Sequence, residues 1–112
     1  MGPFGTVKRY RTLLKESGVE VTVHFEAQLR NIAGTGQAKI SLPSACSVAE
    51  ALRIVAGKFG SALGERLLTA DEKPQRSILL FVNDQAVAHD LAGTHQLKSG
   101  DTLLLYPPIS GG

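Results

Sequence analysis

The chain ends in six residues whose types suit the presentation of a terminal carboxylate: Pro107, Pro108, Ile109, Ser110, Gly111 and Gly112. The two prolines fix φ, donate no backbone hydrogen bond and hold the chain extended, so six residues can reach about 20 Å. Gly111 and Gly112 lack a Cβ atom, so their backbone can enter a narrow channel. The Gly-Gly pair alone would fit an inert flexible end. Together with the preceding Pro-Pro-Ile-Ser and the upstream segments described below, it favours a functional tail that presents Gly112 away from the folded domain.

Other reactive side chains give weaker signals. Cys46 directly precedes a predicted helix, whose N-terminus could lower the thiol pKa and create a nucleophile or sulfur relay, but a small packing residue is the favoured interpretation. A single cysteine also excludes an internal disulfide and an all-cysteine metal site. The segment Gly34-Thr35-Gly36 is too short for a phosphate loop and predicts a turn. No metal site is predicted, because no ligand-like spacing relates the three histidines, His24, His89 and His95.

Five predicted strands would position this tail. Residues Val19 to Phe25 alternate apolar and polar side chains, which is typical of a strand with one buried face. Segment 37–42 alternates in the same way and can pair antiparallel with it. A tight turn at Asn83-Asp84 separates two further strands, and a last strand follows a polar turn; these three strands are 78–82, 85–88 and 102–106.

One main helix lies between the second and third strands. Ser47 and Glu50 have the spacing of a capping box, and apolar residues follow with helical periodicity until Gly60. A second short helix is predicted around 62–68. The main order is β-β-α-β-β-β, and one main helix covers only one face of a sheet. The predicted class is therefore α+β, a mixed sheet of four to five strands with its other face open to solvent or a partner.

Strand parity predicts which apolar residues lie on that open face. If the apolar residues of the first strand face the helix, Leu103 and Leu105 point inward on the last strand. The predicted outward residues are Leu79, Phe81, Leu104 and Tyr106. An exposed apolar patch of this kind predicts a protein partner. Two alternatives are a parity error of one residue, which would place the same side chains in the core, and strands that are buried on both faces.

Length and composition restrict the possible classes of function. The 112 residues suit one domain, predicted at 19–106 between a basic leader (1–18) and the tail (107–112). The leader carries four basic residues and one acidic residue, so its formal charge is +3 and that of the remainder is −1. We expect the leader to be dispensable for folding. The low aromatic content (5%) and the absence of Trp argue against nucleic-acid binding. No apolar run is long enough for a signal peptide or membrane span, so a cytoplasmic protein is expected.

Five segments, in this order, resemble the β-grasp sulfur carriers, particularly the small subunit of molybdopterin synthase (MoaD-like). The thiamine sulfur carrier ThiS and the ubiquitin-like modifiers are relatives of that group. The resemblance covers residues 19–112 and is greatest for the MoaD-like proteins. It rests on 25–34 (FEAQLRNIAG), 47–52 (SVAEAL), 82–83 (VN), 97–103 (LKSGDTL) and 107–112 (PPISGG). Each segment is weak alone, whereas the ordered set is specific.

The resemblance implies a function centred on Gly112. An ATP-using activating enzyme of the MoeB/ThiF type would adenylate its carboxylate, and sulfur from a cysteine desulfurase or rhodanese would replace AMP to give a thiocarboxylate. Gly111 would thread the tail, and the thiocarboxylate would donate its sulfur inside a MoaE-like large subunit for molybdenum cofactor synthesis and return to the carboxylate. The implied partner-binding residues are the four outward residues with Pro107, Pro108, Ile109 and Ser110. The chain itself would be a carrier with no bound cofactor, and not an enzyme.

Two departures from the family pattern concern the choice of partner. Glu26 and Ala86 stand where MoaD-like proteins often place bulkier apolar interface residues. Three alternatives remain open at this point. The first is a protein modifier joined to lysines through Gly112, and the second is a sulfur carrier for thiamine, tRNA or amino-acid thiolation. The third is a β-grasp binding module with an inert tail.

Overall fold

The computed structural model describes residues 18–107 of the chain. The predicted basic leader therefore lies outside the described residues except for Gly18, and the predicted tail lies outside them except for Pro107. The strands are β1 (Val19–Phe25), β2 (Gln37–Leu42), β3 (Leu79–Val82), β4 (Gln85–Ala86) and β5 (Thr102–Tyr106). The helices are α1 (Gln28–Ala33), α2 (Val48–Phe59) and α3 (Ser61–Leu67), with a 3-10 turn at His89–Leu91.

The five strands form one mixed sheet in the order β2-β1-β5-β3-β4. Strands β1 and β5 are parallel, with Val23 opposite Leu103, and the other three pairings are antiparallel. β1, β2 and β5 have the predicted bounds, whereas β3 starts one residue later and β4 ends two residues earlier than predicted. The central β5 is thus held on both sides, and the chain leaves the sheet from this strand.

A single hydrophobic core lies between the sheet and the helices. The inward residues of β1 after Val19 are fully buried, as are Leu103 and Leu105 on β5. The apolar stripe of α2 packs against them, and Phe59 at its end meets Phe25 edge to face at a centroid distance of 5.1 Å. The inward strand residues, which recur every two positions, and the apolar stripe of α2, which recurs about every 3.6 positions, therefore pack together in one core layer.

The N-terminus of α2 has the predicted capping box. The Ser47 hydroxyl accepts from the Glu50 backbone N–H (3.1 Å), and Glu50 Oε1 accepts from the Ser47 backbone N–H (2.9 Å). Gly60, with φ 97°, ends α2 and begins α3. An L-residue would be strained at this φ, so the glycine permits the sharp change of direction between the two helices.

Helix α1 was not predicted from the sequence. Its buried Leu29 and half-buried Ile32 and Ala33 have the i, i+3, i+4 spacing of an amphipathic turn, and Gly34 closes it in the left-handed conformation (φ 81°). The glycine interpreted as part of a turn is thus also a helix cap. Ala27, with φ 51°, lies just before the helix and separates it from β1.

A hydrogen-bond network on Asn83 links the β3–β4 turn to the start of β5. Both central turn residues, Asn83 (φ 50°) and Asp84 (φ 71°), have positive φ, as a two-residue hairpin turn of type I′ requires. Asn83 Nδ2 donates to Asp101 Oδ1, and Asn83 Oδ1 accepts from the Thr102 backbone N–H, each at 2.9 Å. The other Asp101 oxygen accepts from the Lys98 backbone N–H (2.8 Å). The turn therefore sets the register of β3 against β5.

Among residues 18–107, no helix combines the length and the apolar character that crossing a membrane requires.

Candidate functional site

The exit of the chain from the sheet is the first component of the candidate site. β5 ends at Tyr106, as predicted, and Tyr106 is exposed. Pro107 differs from the prediction of an extended partner-binding residue, because it is buried and lines a small cavity with Leu29, Arg66 and Ile78. The first proline of the tail thus belongs to the folded domain. The remaining predicted tail residues, Pro108, Ile109, Ser110, Gly111 and Gly112, lie outside the described part of the chain.

The open face of the sheet is the second component. Leu79 is 49% exposed and Tyr106 43% exposed, and Phe81 and Leu104 are half-buried. The inward neighbours on β5 have no exposed surface. The outward orientation predicted from strand parity is therefore confirmed for all four residues, and the alternative of a one-residue parity error is excluded.

The register of three strands brings these side chains together. Leu79 lies opposite Tyr106, and Phe81 lies opposite both Leu104 and the exposed Ala86. The Phe81 and Tyr106 rings meet edge to face with a centroid distance of 6.4 Å. We call these five residues the sheet patch. The patch extends along β5 to the residue before Pro107, so it adjoins the point from which the tail leaves.

The other half of the same face is polar. The residues on β1 and β2 that share the outward register are Glu20, Thr22, His24, Gln37, Lys39 and Ser41. Apolar surface is thus confined to the β5, β3 and β4 side of the sheet. The sheet patch is therefore bordered by polar side chains on its β1 side.

The structure gives Glu26, one of the two departures from the family pattern, an internal partner. Its carboxylate lies 3.5 Å from Arg30 Nη2, and its side chain is only 23% exposed. The Arg30 side chain lies next to the Gly36 backbone. A Cβ atom on residue 36 would lie 3.2 Å from Arg30 Nε. This close approach places the Arg30 side chain against the β1–β2 connection as a packing residue.

Cys46 has the properties of a packing residue. Its side chain is 2% exposed within the core, and Sγ lies 3.5 Å from the Ser47 carbonyl oxygen. Burial raises the pKa of the thiol, and the negative charge of Glu50 raises it further. A reactive thiol needs the opposite shift. The structure therefore opposes the relay hypothesis and supports the packing role.

The histidines lie apart from one another in the fold. His89 Nε2 lies 2.7 Å from the Ile78 carbonyl oxygen. This hydrogen bond links the 3-10 turn to the residue before β3. His24 lies on the open face, and His95 is exposed near the start of α2. No group of three His, Cys, Asp or Glu side chains within residues 18–107 is placed to hold a metal ion.

Comparison with known proteins identifies the family. Residues 23–112 match the ThiS family. The molybdopterin synthase sulfur carrier subunit of Drosophila yakuba is 32% identical over 94 residues, which cover 84% of this chain and 92% of that protein.

Solved structures of similar proteins identify the fold. SAMP1, a small archaeal modifier protein from Haloferax volcanii, has a TM-score of 0.73 and 28% identity, with 83% of this chain and 99% of that one covered. The Amycolatopsis orientalis BexX/CysO complex contains a chain with a TM-score of 0.62 and 30% identity, covering 82% of this chain and 99% of that chain. These neighbours confirm the predicted β-grasp architecture. The chain is a member of the ThiS family, within the group of MoaD-like sulfur carriers.

Proposed function

We propose that this protein carries sulfur as a thiocarboxylate on Gly112 and delivers it as the small subunit of a molybdopterin synthase. The observation that supports this most strongly is the continuity between the sheet patch and the exit of the tail. Tyr106 contributes an exposed ring to the patch, and the predicted tail begins at the next residue. A single enzyme surface can therefore hold the patch while it receives the tail.

The proposed chemistry begins with the carboxylate, which is a poor acyl donor because its charge repels nucleophiles and its oxygen leaves badly. The Gly112 carboxylate oxygen attacks the α-phosphorus of ATP in an activating enzyme and releases pyrophosphate. The resulting acyl-adenylate loses AMP when a sulfur nucleophile attacks its carbonyl carbon. A hydrosulfide donor gives the thiocarboxylate directly. A persulfide donor needs a second thiol, which releases the thiocarboxylate and forms a disulfide.

The carrier would then work with three kinds of partner. An adenylating enzyme of the MoeB/ThiF type activates the tail, and a cysteine desulfurase or rhodanese supplies the sulfur. A MoaE-like large subunit binds the sheet patch and holds the pterin precursor that accepts the sulfur. The thiocarboxylate sulfur displaces a leaving group on the precursor, and water then hydrolyses the resulting thioester, which leaves the sulfur on the precursor and returns Gly112 to a carboxylate. The curated relatives, named as sulfur carrier subunits, support the large subunit as a partner. In this scheme the chain is a protein co-substrate, and the ATP binds to the activating enzyme.

Reconstitution of sulfur transfer tests this function. The thiocarboxylated protein, mixed with the large subunit of molybdopterin synthase from the same cell, should convert the sulfur-free pterin precursor into molybdopterin. The carboxylate form should be inactive under the same conditions. If the thiocarboxylated protein transferred sulfur only to a thiazole precursor, a tRNA or an amino acid, the molybdopterin assignment would be wrong while the carrier role would stand.

A protein modifier is the second candidate, and the structural likeness to the small archaeal modifier protein supports it. In that case the ε-amine of a lysine on another protein would displace AMP or sulfur and form an isopeptide bond with Gly112. A denaturing blot of cell extract separates the two functions. A ladder of high-mass species that depends on Gly112 indicates modification, and a single band at the mass of the free chain indicates a carrier.

A further inference from the structure

A cleft of about 650 Å³ lies on the helix side of the domain, on the face of the sheet opposite the sheet patch. Ala49 and Arg53 of α2 form one wall, residues 69–76 form the second, and the segment from the 3-10 turn to Gly93 forms the third. The volume lies within the range of small-molecule sites, about 300–1,000 Å³. We call it the helix-side cleft. The proposed function makes no use of it.

Charged side chains converge on the helix-side cleft from all three walls. Arg53 comes from α2, and Lys73 and Arg76 come from the 69–76 segment. Two carboxylates, Asp71 and Asp90, line the cleft as well. The formal charge of these five side chains is therefore +1 at neutral pH. A ligand that satisfies them needs an anionic group together with groups that donate hydrogen bonds to the carboxylates.

The cations of the cleft have donors to spare. Arg53 Nε donates to the Glu72 carbonyl oxygen (2.9 Å), which fixes the guanidinium and leaves its two Nη groups for a ligand. Within residues 18–107, neither Arg53 nor Lys73 forms an ion pair. Arg76 Nη2 lies 3.2 Å from Asp90 Oδ1, but the two side chains are 80% and 82% exposed. Such an exposed pair contributes little, so an anion of higher charge can replace it.

His89 adds a ring of fixed orientation to the cleft. Its Nε2 lies 2.7 Å from the Ile78 carbonyl oxygen, and because a carbonyl only accepts, Nε2 carries the proton. In the neutral ring, Nδ1 is therefore an acceptor that remains for a ligand. The Asp71 carboxylate, which has no ion-pair partner in the described part of the chain, is a second such acceptor. Hydroxyl groups on a ligand can donate to both.

We propose that the helix-side cleft binds a small phosphorylated sugar compound, either a sugar phosphate or a ribonucleotide. Its phosphate lies against Arg53, Lys73 and Arg76, and its hydroxyl groups donate to Asp71 and to His89 Nδ1. A phosphomonoester suits three cations better than a carboxylate does, because it carries a charge of about −1.5 to −2 at neutral pH and three strong acceptor oxygens. The inference goes beyond the proposed function and does not depend on it, since the cleft and the sheet patch lie on opposite faces of the sheet.

Titration of the full chain with ribose 5-phosphate at constant ionic strength, followed by backbone amide NMR, tests the inference. Signals of residues 49–53, 69–76 and 89–93 should shift and saturate with a Kd of about 1 mM or tighter. Arg53→Gln should weaken binding at least about fivefold, and Asp90→Asn should tighten it about threefold because Arg76 is released. Lys39→Gln is the matched control, since it removes the same charge from the open face of the sheet and should leave the affinity unchanged.

Lys73→Gln keeps the inference testable if Arg53→Gln is poorly folded, because Lys73 is exposed and has no ion-pair partner among the described residues. It should weaken binding in the same direction.

Two further ligands complete the test. Inorganic phosphate lacks the hydroxyl groups of the sugar and should bind at least about tenfold more weakly than ribose 5-phosphate. Tighter binding of AMP than of ribose 5-phosphate would identify the ligand as a nucleotide, and equal or weaker binding would identify it as a sugar phosphate. The inference would be overturned by the absence of saturable shifts, by equal affinities for inorganic phosphate and ribose 5-phosphate, or by an equal loss of affinity in Lys39→Gln. Failure of sulfur transfer would overturn the proposed function and leave this inference standing.

Discussion

Phe81 on β3 and Tyr106 on β5 meet edge to face on the open side of the sheet, with ring centroids 6.4 Å apart. Aromatic pairs of this geometry contribute about 0.5–1.5 kcal/mol beyond the area they bury. Here the pair is diagonal across two strands, since each ring lies opposite a leucine of the other strand. The contact therefore holds both rings in fixed positions beside the exit of the tail, and a partner meets a preorganised surface.

Placing a charge in this pair should abolish partner binding without unfolding the domain. Because Tyr106 is exposed, Tyr106→Glu removes no core contact but buries a carboxylate in any interface formed there. We expect the affinity for the large subunit to fall at least about 30-fold, and Phe81→Glu to act in the same direction. Binding is measured by titration and folding by thermal melts. Gln37→Glu, on the polar half of the same face, is the control for added charge; equal losses in all three variants would contradict the assignment of the patch.

Asn83 should be the most sensitive position in the β3–β4 turn. Asn83→Ala removes two side-chain hydrogen bonds and leaves an alanine at φ 50°, so we expect a loss of about 2 kcal/mol in the free energy of unfolding. For a domain of this size the melting temperature should fall by roughly 10 °C. Asp84→Gly is the companion variant, because a glycine at φ 71° relieves strain and should be neutral or stabilising by up to about 1 kcal/mol. Equal destabilisation by both changes would show that the network does not support the turn.

The sheet patch could be predicted from the sequence because strand parity is a local property. Once Val21 and Val23 face the core, the parallel register with β5 places Leu104 and Tyr106 outward. Helix α1 was missed because six residues with a single buried side chain give a weak periodic signal, and its Gly34 cap also suits a turn. Such short elements are fixed by packing against the rest of the domain, which local patterns do not contain.

Long-range partners account for the other differences. The sequence predicts a turn at Asn83, but the bond to Asp101 joins residues 18 positions apart and depends on the register of β3 and β5. In the same way, the burial of Pro107 depends on α1 and α3, which supply Leu29 and Arg66 to its surroundings. Proline chemistry correctly predicts that the strand stops there. It does not show whether the ring lies inside or outside the domain.

Cys46 should be chemically inert in the folded protein and dispensable for sulfur carriage. Its thiol is buried and its pKa is raised, so little thiolate forms at neutral pH. We expect a disulfide reagent such as DTNB to react at least roughly 100-fold more slowly with the native protein than with the protein in urea, because reaction requires opening of the core. Cys46→Ala should still accept sulfur at Gly112. Rapid stoichiometric labelling of the native thiol would contradict this description.

The capping box should make stability depend on acidic pH. The Ser47 backbone N–H, followed by its hydroxyl, lowers the pKa of the Glu50 carboxyl in the folded state. A lowered folded-state pKa contributes stability above the ordinary Glu pKa of about 4.3, and this contribution is lost as the pH falls through the lower folded value. Urea unfolding of wild type and Glu50→Gln between pH 7 and pH 3 measures the effect. The difference in stability between the two proteins should shrink towards acidic pH, and a difference that is constant with pH would contradict the role of the ionised carboxyl.

The most direct test of the central claim is intact-protein mass spectrometry of the chain after incubation with ATP, the cognate activating enzyme and a sulfur donor. Removal of Gly112, or addition of one residue after it, should abolish sulfur incorporation while the melting temperature stays unchanged. Gly112→Ala keeps a carboxylate but adds a Cβ atom, so it should be modified more slowly. The wild-type product should have one oxygen replaced by sulfur, and fragmentation should locate the sulfur at Gly112. Sulfur located at Cys46, or incorporated into a chain with an intact extra C-terminal residue, would contradict the account.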